Sequence, residues 1–169
     1  MTEPLFYCVL GTLQGWMGVL ASEAGLRRVI LPRCSAENAA KELGAAVQQA
    51  TQSQAPFEDL IARFKTYFQS GRVEFPDRLD LSRATDFQRQ VWEAARTIPW
   101  GETRSYQWVA SHIGKPRAAR AAGQALGQNP LPLIVPCHRV LTTDGKLGGF
   151  TGGLDMKRLL LKTEGVTVL

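Results

Sequence analysis

Residues 105–127, SYQWVASHIGKPRAARAAGQALG, carry the pattern that decides how the second half of the chain folds. Ser105 is a helix-capping residue type at the head of a short periodic segment, 105–113, and Gly114 is suited to end it. Pro116 then opens a second helix over 116–127. Helix, tight glycine turn and helix together make a helix-turn-helix. The second helix is rich in small residues: Ala118, Ala119, Ala121, Ala122, Gly123, Ala125 and Gly127. Such a helix either packs closely inside a core or lies against a nucleic-acid backbone, where small side chains permit close approach. On the second reading Arg120, alone among alanines, could neutralise phosphate or enter a base stack, with Arg117, Lys115, Arg104 and Arg139 adding to a basic patch.

Upstream, TDFQRQVWEAART over 85–97 reads as a helix with a Thr85/Asp86 start and an apolar Phe87, Val91, Trp92, Ala95 face. Residues 70–84 have no helical period and read as a linker. The domain boundary is placed there, giving an N-terminal α/β domain over 1–78 and a C-terminal domain over 79–169. In the first part, 5–31 reads as a meander of about three strands. Residues 35–50 look helical with Ser35 as cap, 51–55 are a polar break, and 56–69 form an amphipathic helix. That last helix carries Phe57, Leu60, Ile61, Phe64, Tyr67 and Phe68 on one stripe.

The chain of 169 residues is 44% hydrophobic and 21% charged, enough to bury a core without covalent staples. Its formal net charge of +5 favours polyanionic partners but is too common to identify one. Cys8, Cys34 and Cys137 share no metal-ligand or disulfide spacing, and His112 and His138 are the two histidines. A reducing, cytoplasmic setting, no signal peptide, no membrane association and no metal or other cofactor are expected.

Downstream of the helix pair, the apolar run LPLIV reads as a buried strand leading to Pro136, Cys137, His138 and Arg139. A cysteine in that setting is by default a core residue. Yet two polar residues directly after a buried segment need partners, and a histidine beside a thiol is a standard activator. Adjacent strand residues face opposite ways, so a Cys–His link requires a turn or helix start at Cys137, or a bridging water. A glycine-rich loop, GKLGGFTGG, then leads to a last helix over 154–164.

Four motifs in order, GETRSYQWVA (101–110), AARAAGQALGQNP (118–130), PCHRV (136–140) and GGLDMKRLLLKTEG (152–165), give the chain from about Asp86 to Gly165 a family likeness. It resembles the O6-alkylguanine-DNA alkyltransferases, or methylated-DNA–protein-cysteine methyltransferases. The resemblance implies an α/β protein with a small ribonuclease-H-like N-terminal domain and a mostly helical, winged-helix-like C-terminal domain bearing the helix-turn-helix. It implies direct-reversal repair of double-stranded DNA bearing O6-alkylguanine, and also O4-alkylthymine, by irreversible alkyl transfer to Cys137. His138 would be the base, acting through a water, with Glu164 orienting it. Tyr106 would protonate the leaving base, and Asn129 would tie the helix-turn-helix to the reactive turn. Arg120 would replace the flipped nucleotide, since the O6 substituent is out of reach inside the duplex. Tyr106, Gln107, Lys115, Ala119, Ala121, Gly123 and Thr143 would also meet DNA. Pro132, Val140, Phe150, Thr151 and Gly152 would line the alkyl pocket. The zinc site of some members is not expected, because the N-terminal region offers Cys8 and Cys34 and no histidine. A monomer in solution, able to cluster on DNA, is expected.

Two other readings compete. A non-catalytic lesion-binding protein of the same fold would lack the acceptor cysteine, which is present here. A cysteine hydrolase would need a thioester that water can release.

Overall fold

The computed structural model describes residues 2–168 and divides into two compact units, Met1–Ser82 and Arg83–Leu169. The first is built on β1 (Leu5–Thr12), β2 (Gly15–Ser22) and β3 (Gly25–Arg33), an antiparallel meander as the sequence pattern predicts. β2 is central and is buried almost throughout, from Met17 to Ser22, because both its faces are covered. On one face α1 (Ala36–Glu42) packs so closely that a Cβ at Gly18 would stand 3.0 Å from the Leu43 side chain. Leu20, Ile30 and Leu43 form the apolar cluster there.

The expected long helix over 35–50 is interrupted. Ser35 caps it as predicted, accepting from the Asn38 amide at 3.1 Å, but Gly44 takes φ +88°. A 3-10 turn over Ala45–Gln49 follows, and the polar break becomes β4 (Thr51–Gln52), which pairs parallel to β1. The left-handed Gly44 ends the helix after Leu43, and beyond the 3-10 turn Thr51 and Gln52 pair with the edge of β1. α2 (Glu58–Phe68) buries Leu60, Phe64, Tyr67 and Phe68 against the sheet, at β1.

The first unit extends four residues past the boundary placed from sequence, because the linker is stitched to the sheet. The Leu26 amide donates to the Arg78 carbonyl at 2.9 Å, and the Asp80 amide to the Leu26 carbonyl at 2.8 Å. The Asp80 carboxylate is buried, yet hydrogen bonds from Ser22, Ser82 and Arg27 hold it far below the usual carboxylate range.

The second unit is mostly helical. α3 (Asp86–Arg96) starts on a full capping box: Thr85 accepts from the Gln88 amide, and the Gln88 side chain accepts from the Thr85 amide. A short strand, β5 (Arg104–Ser105), leads into α4 (Tyr106–His112), with Ser105 accepting from the Trp108 amide at 2.9 Å. Gly114 makes the tight turn at φ +76°. α5 (Ala119–Gly127) begins three residues later than Pro116, since 115–118 close a turn of their own through the Ala118 amide and the Lys115 carbonyl. α3, α4 and α5 pack on one another, and the Trp92 indole donates to the Ala125 carbonyl at 2.8 Å. β6 (Val140–Leu141) pairs parallel with β5, and α6 (Leu154–Thr163) closes the unit. Among the described residues no helix is long and apolar enough to cross a membrane.

Candidate active site

One side chain joins the helix-turn-helix to the cysteine. Asn129 is buried two residues beyond the end of α5. Its Oδ1 accepts from the Leu131 amide at 2.8 Å. Its Nδ2 donates to the Val135 carbonyl at 2.9 Å and to Cys137 Sγ at 3.2 Å. The intervening LPLIV is a turn rather than the expected strand: Leu133 has φ +74°, and the Val135 amide donates to the Leu131 carbonyl at 2.8 Å. Pro132 within the run, with Pro130 and Pro136 on either side of it, removes amides that a ladder would need.

Cys137 opens a single 3-10 turn, Cys137–Arg139. This helix start is what a Cys–His link requires, and it lets three consecutive side chains all be buried. His138 is fully buried, with Nε2 2.6 Å from Glu164 Oε1 at the end of α6. Arg139 grips the same carboxylate, Nε to Oε2 at 2.8 Å and Nη2 to Oε1 at 3.0 Å, and donates from Nη1 to the Ile98 carbonyl at 2.7 Å. The Gly101 amide also reaches Glu164 Oε2 at 3.5 Å.

The electrostatics follow. Burial would raise the Glu164 carboxyl, but the hydrogen bonds from His138 and Arg139, with the Arg139 charge, outweigh it and hold it at about 2. An ionised Glu164 only accepts, so Nε2 of His138 carries the proton. Burial pushes His138 below its ordinary value in spite of Glu164, so the ring is neutral. Its Nδ1 is buried and meets no hydrogen-bond partner among the described residues. Burial pushes the Cys137 thiol up, and the Asn129 hydrogen bond and the Lys157 charge work against that.

The sequence expectations omit Lys157. It is fully buried, and Nζ donates to the carbonyls of Val140 at 2.8 Å, Leu147, and Gly149 at 3.2 Å. It also stands over the rings of Tyr106, at 5.8 Å, and Phe150, at 6.0 Å. Burial brings its ammonium down to about 8. A signal was available: Lys157 sits three and four residues before Leu160 and Leu161, on the buried stripe of α6. A lysine on an apolar stripe needs polar partners.

Beside this cluster a groove of about 680 Å³ is lined by α4, α5 and the glycine-rich loop. Tyr106, Gln107, Ala119, Arg120, Gly123, Thr143, Phe150 and Thr151 line it, all of them candidates from sequence, together with Gln124, Gly127, Thr142 and Gly149. One face of the small-residue helix packs into the core and the other is open. Ala122, Ala125 and Leu126 are buried inward, while Arg120, Ala121 and Gln124 are exposed. The Tyr106 ring lies on Gly123 and under Gly148, where a Cβ would meet its hydroxyl at 2.8 Å. Thr151 fastens the loop to α5 by donating to the Gly127 carbonyl.

Residues 86–166 match the family model described as the 6-O-methylguanine DNA methyltransferase, DNA binding domain. The methylated-DNA–protein-cysteine methyltransferase of Mycobacterium bovis is 52% identical over 108 residues, which is 64% of this chain and 65% of that protein. The matched segment therefore spans a little under two thirds of that relative. The protein of the same name from Mycolicibacterium paratuberculosis is 49% identical over 114 residues, 68% of each chain. The crystal structure of Mycobacterium tuberculosis O6-methylguanine methyltransferase superposes with a TM-score of 0.79 at 38% identity, covering 95% of this chain and 92% of that one. The chain belongs to the O6-methylguanine-DNA methyltransferase family. A further solved structure, Mycobacterium tuberculosis OGT in complex with DNA, matches with a TM-score of 0.78 at 39% identity, covering 94% of this chain and 92% of that one.

Within this family fold, Asn129 bonds to Cys137 and His138 to Glu164, the two pairs being brought together by the adjacent positions of Cys137 and His138, while Tyr106 lines the groove. Pro132, Val140 and Gly152 are not in the groove lining. Val140 is fully buried and contributes its carbonyl, to Lys157. Lys115 and Ala121 are also outside the lining, Lys115 with its ammonium 5.2 Å from the centre of the Phe87 ring and Ala121 exposed. Arg139 does not belong to a surface basic patch, because its guanidinium is committed to Glu164.

The Glu164 value sets an acid limit. A folded-state pKa lowered from 4.5 to about 2 stabilises the fold above the unfolded value. It is worth about 3 kcal/mol at neutral pH, lost as pH falls from about 5 towards 2. Urea midpoints are expected to drop over that window, and Glu164→Gln should flatten the decline. An unchanged slope in the variant would contradict the assignment.

Proposed function

We propose that this chain repairs double-stranded DNA by taking the alkyl group of O6-alkylguanine, and of O4-alkylthymine, onto Cys137, once per molecule. The supporting observation is a buried thiol, held by Asn129, beside a neutral His138 whose Nδ1 is unpartnered and whose Nε2–H is fixed by Glu164. Family membership and the DNA complex of a structural relative agree with this reading.

The chemistry follows from the residues. Docking places α5 against the duplex, with its small exposed residues allowing close approach and Arg120 filling the stack as the damaged base turns out. Loop residues Phe150 and Thr151 receive the base. His138 accepts the Cys137 proton at Nδ1 through a bridging water, leaving a thiolate near the Lys157 ammonium and an imidazolium against Glu164. Sulfur attacks the alkyl carbon in line. The carbon–oxygen electron pair stays with guanine, which takes up a proton, with the Tyr106 hydroxyl as donor. Burial and then the Cys137 charge raise the Tyr106 pKa, so it enters the step protonated. The product thioether has no good leaving group, so the protein is consumed.

The test is intact mass after incubation with excess duplex containing O6-methylguanine. One added methyl per chain, mapped to the peptide containing Cys137, is expected, with no further turnover. Repeated turnover, or an adduct elsewhere, would overturn the reading.

A further inference from the structure

Arg139 is the strongest unassigned feature. It is 8% exposed, follows the base directly, and spends its whole guanidinium on Glu164 and the Ile98 carbonyl. We propose that Arg139 is a positioning residue for alkyl transfer: by gripping both oxygens of Glu164 it keeps that carboxylate on Nε2 of His138 and matches its charge, so that His138 rests as a neutral base. This deepens the proposed function and rests on Cys137 being the acceptor.

The physical argument is one of charge balance in a buried site. A lone carboxylate beside a buried imidazole favours the imidazolium–carboxylate pair, and an imidazolium cannot accept a proton. Here the fork of Arg139 binds both oxygens of Glu164 in bidentate geometry. The groups acting on His138 are Glu164, which favours its charged form, and Arg139 and Lys157, which oppose it, with burial the largest influence. Glu164 and Arg139 cancel, and Lys157 is left facing Cys137. Moving the proton from Cys137 to His138 therefore changes no net charge in the interior. The thiolate forms beside one cation and the imidazolium beside the one anion. Bringing in a new charge would cost several kcal/mol. A purely mechanical Arg139, tying Ile98 to the end of α6, would need one of these bonds and not the fork.

The chain has two histidines, and His112 is exposed, so each ring can be followed separately. Long-range proton–nitrogen NMR of the resting protein should show His138 neutral, with its proton on Nε2, at about pH 6. In Arg139→Met it should be imidazolium at the same pH, and Arg139→Lys should restore the neutral form. Single-turnover alkyl transfer by Arg139→Met should have its acidic limb moved up by about one pH unit, roughly a 10-fold loss at about pH 6 that recovers by about pH 8. A limb that does not move in folded Arg139→Met, with a loss equal at all pH, would overturn the proposal. So would a resting imidazolium at His138 in the unaltered protein, a result that does not depend on any variant folding. If His138 is neutral as stated but no adduct forms on Cys137, the proposed function fails and the charge assignment stands.

Discussion

Cys137→Ser is expected to lose alkyl transfer by about four orders of magnitude or more while keeping the fold. The substitution is nearly isosteric, and Asn129 can still donate to the hydroxyl, so the 131–137 turn should persist. The chemistry cannot. Displacement at a saturated carbon needs an anionic nucleophile. A thiol buried beside His138 and Lys157 can supply one, while a serine hydroxyl is far too weak an acid without a much stronger base. Quantifying O6-methylguanine remaining in duplex after prolonged incubation checks it. Measurable repair by Cys137→Ser at more than about a thousandth of the normal rate would place the acceptor elsewhere. Cys8 is the control: it is buried, its thiol is pushed up to about 11 by burial, and no activating partner accompanies it among the described residues. Cys8→Ala should leave transfer unchanged.

The second large effect concerns stability. Glu164→Ala removes the one anion shared by His138 and Arg139, with side chains that are 1% and 10% exposed. Among the described residues the arginine is then left charged in the interior with only the Ile98 carbonyl, and the Gly101 amide loses its acceptor. Breaking a buried pair from one side costs about 3–5 kcal/mol, because the abandoned charge cannot recover its hydration. The melting temperature of the second unit should fall by roughly 10 °C or more. The double variant Glu164→Ala/Arg139→Met should regain part of that loss, since no charge is then abandoned. Calorimetry on the three variants reads both effects. A double variant less stable than Glu164→Ala would mean that packing by Arg139, not its charge, dominates.

Much of the fold is legible locally. The Thr85–Gln88 capping box, the Ser105 cap and the Gly114 turn lie within a few residues of what they act on. The Leu60, Phe64, Tyr67 and Phe68 stripe repeats at the helical period. The misreadings also have local causes. LPLIV has the apolarity of a strand, but Pro132, the prolines on either side of the run and the φ +74° of Leu133 fold it into a turn. Residues 35–50 have the composition of one helix, but Gly44 takes the left-handed region and ends it after Leu43. Asp80 looks like linker charge until Ser22 and Arg27, more than 50 positions away, are seen to hold it.

For the site, the sequence by itself determined which chemical groups exist and their order: a helix-turn-helix, then Asn129, then Cys137 and His138 in succession, then Glu164. It could not determine their protonation states or their allegiance. Arg139 read as a surface cation and Lys157 drew no notice, yet both are buried and set the charge around the nucleophile. Caps, turns and periodicity depend on neighbours within one or two helical turns, so the chain carries them openly. Whether a charged group is desolvated, and which partner 10 or 25 residues away then answers it, depends on how α6 packs on the cysteine turn, and that is decided only when the core closes.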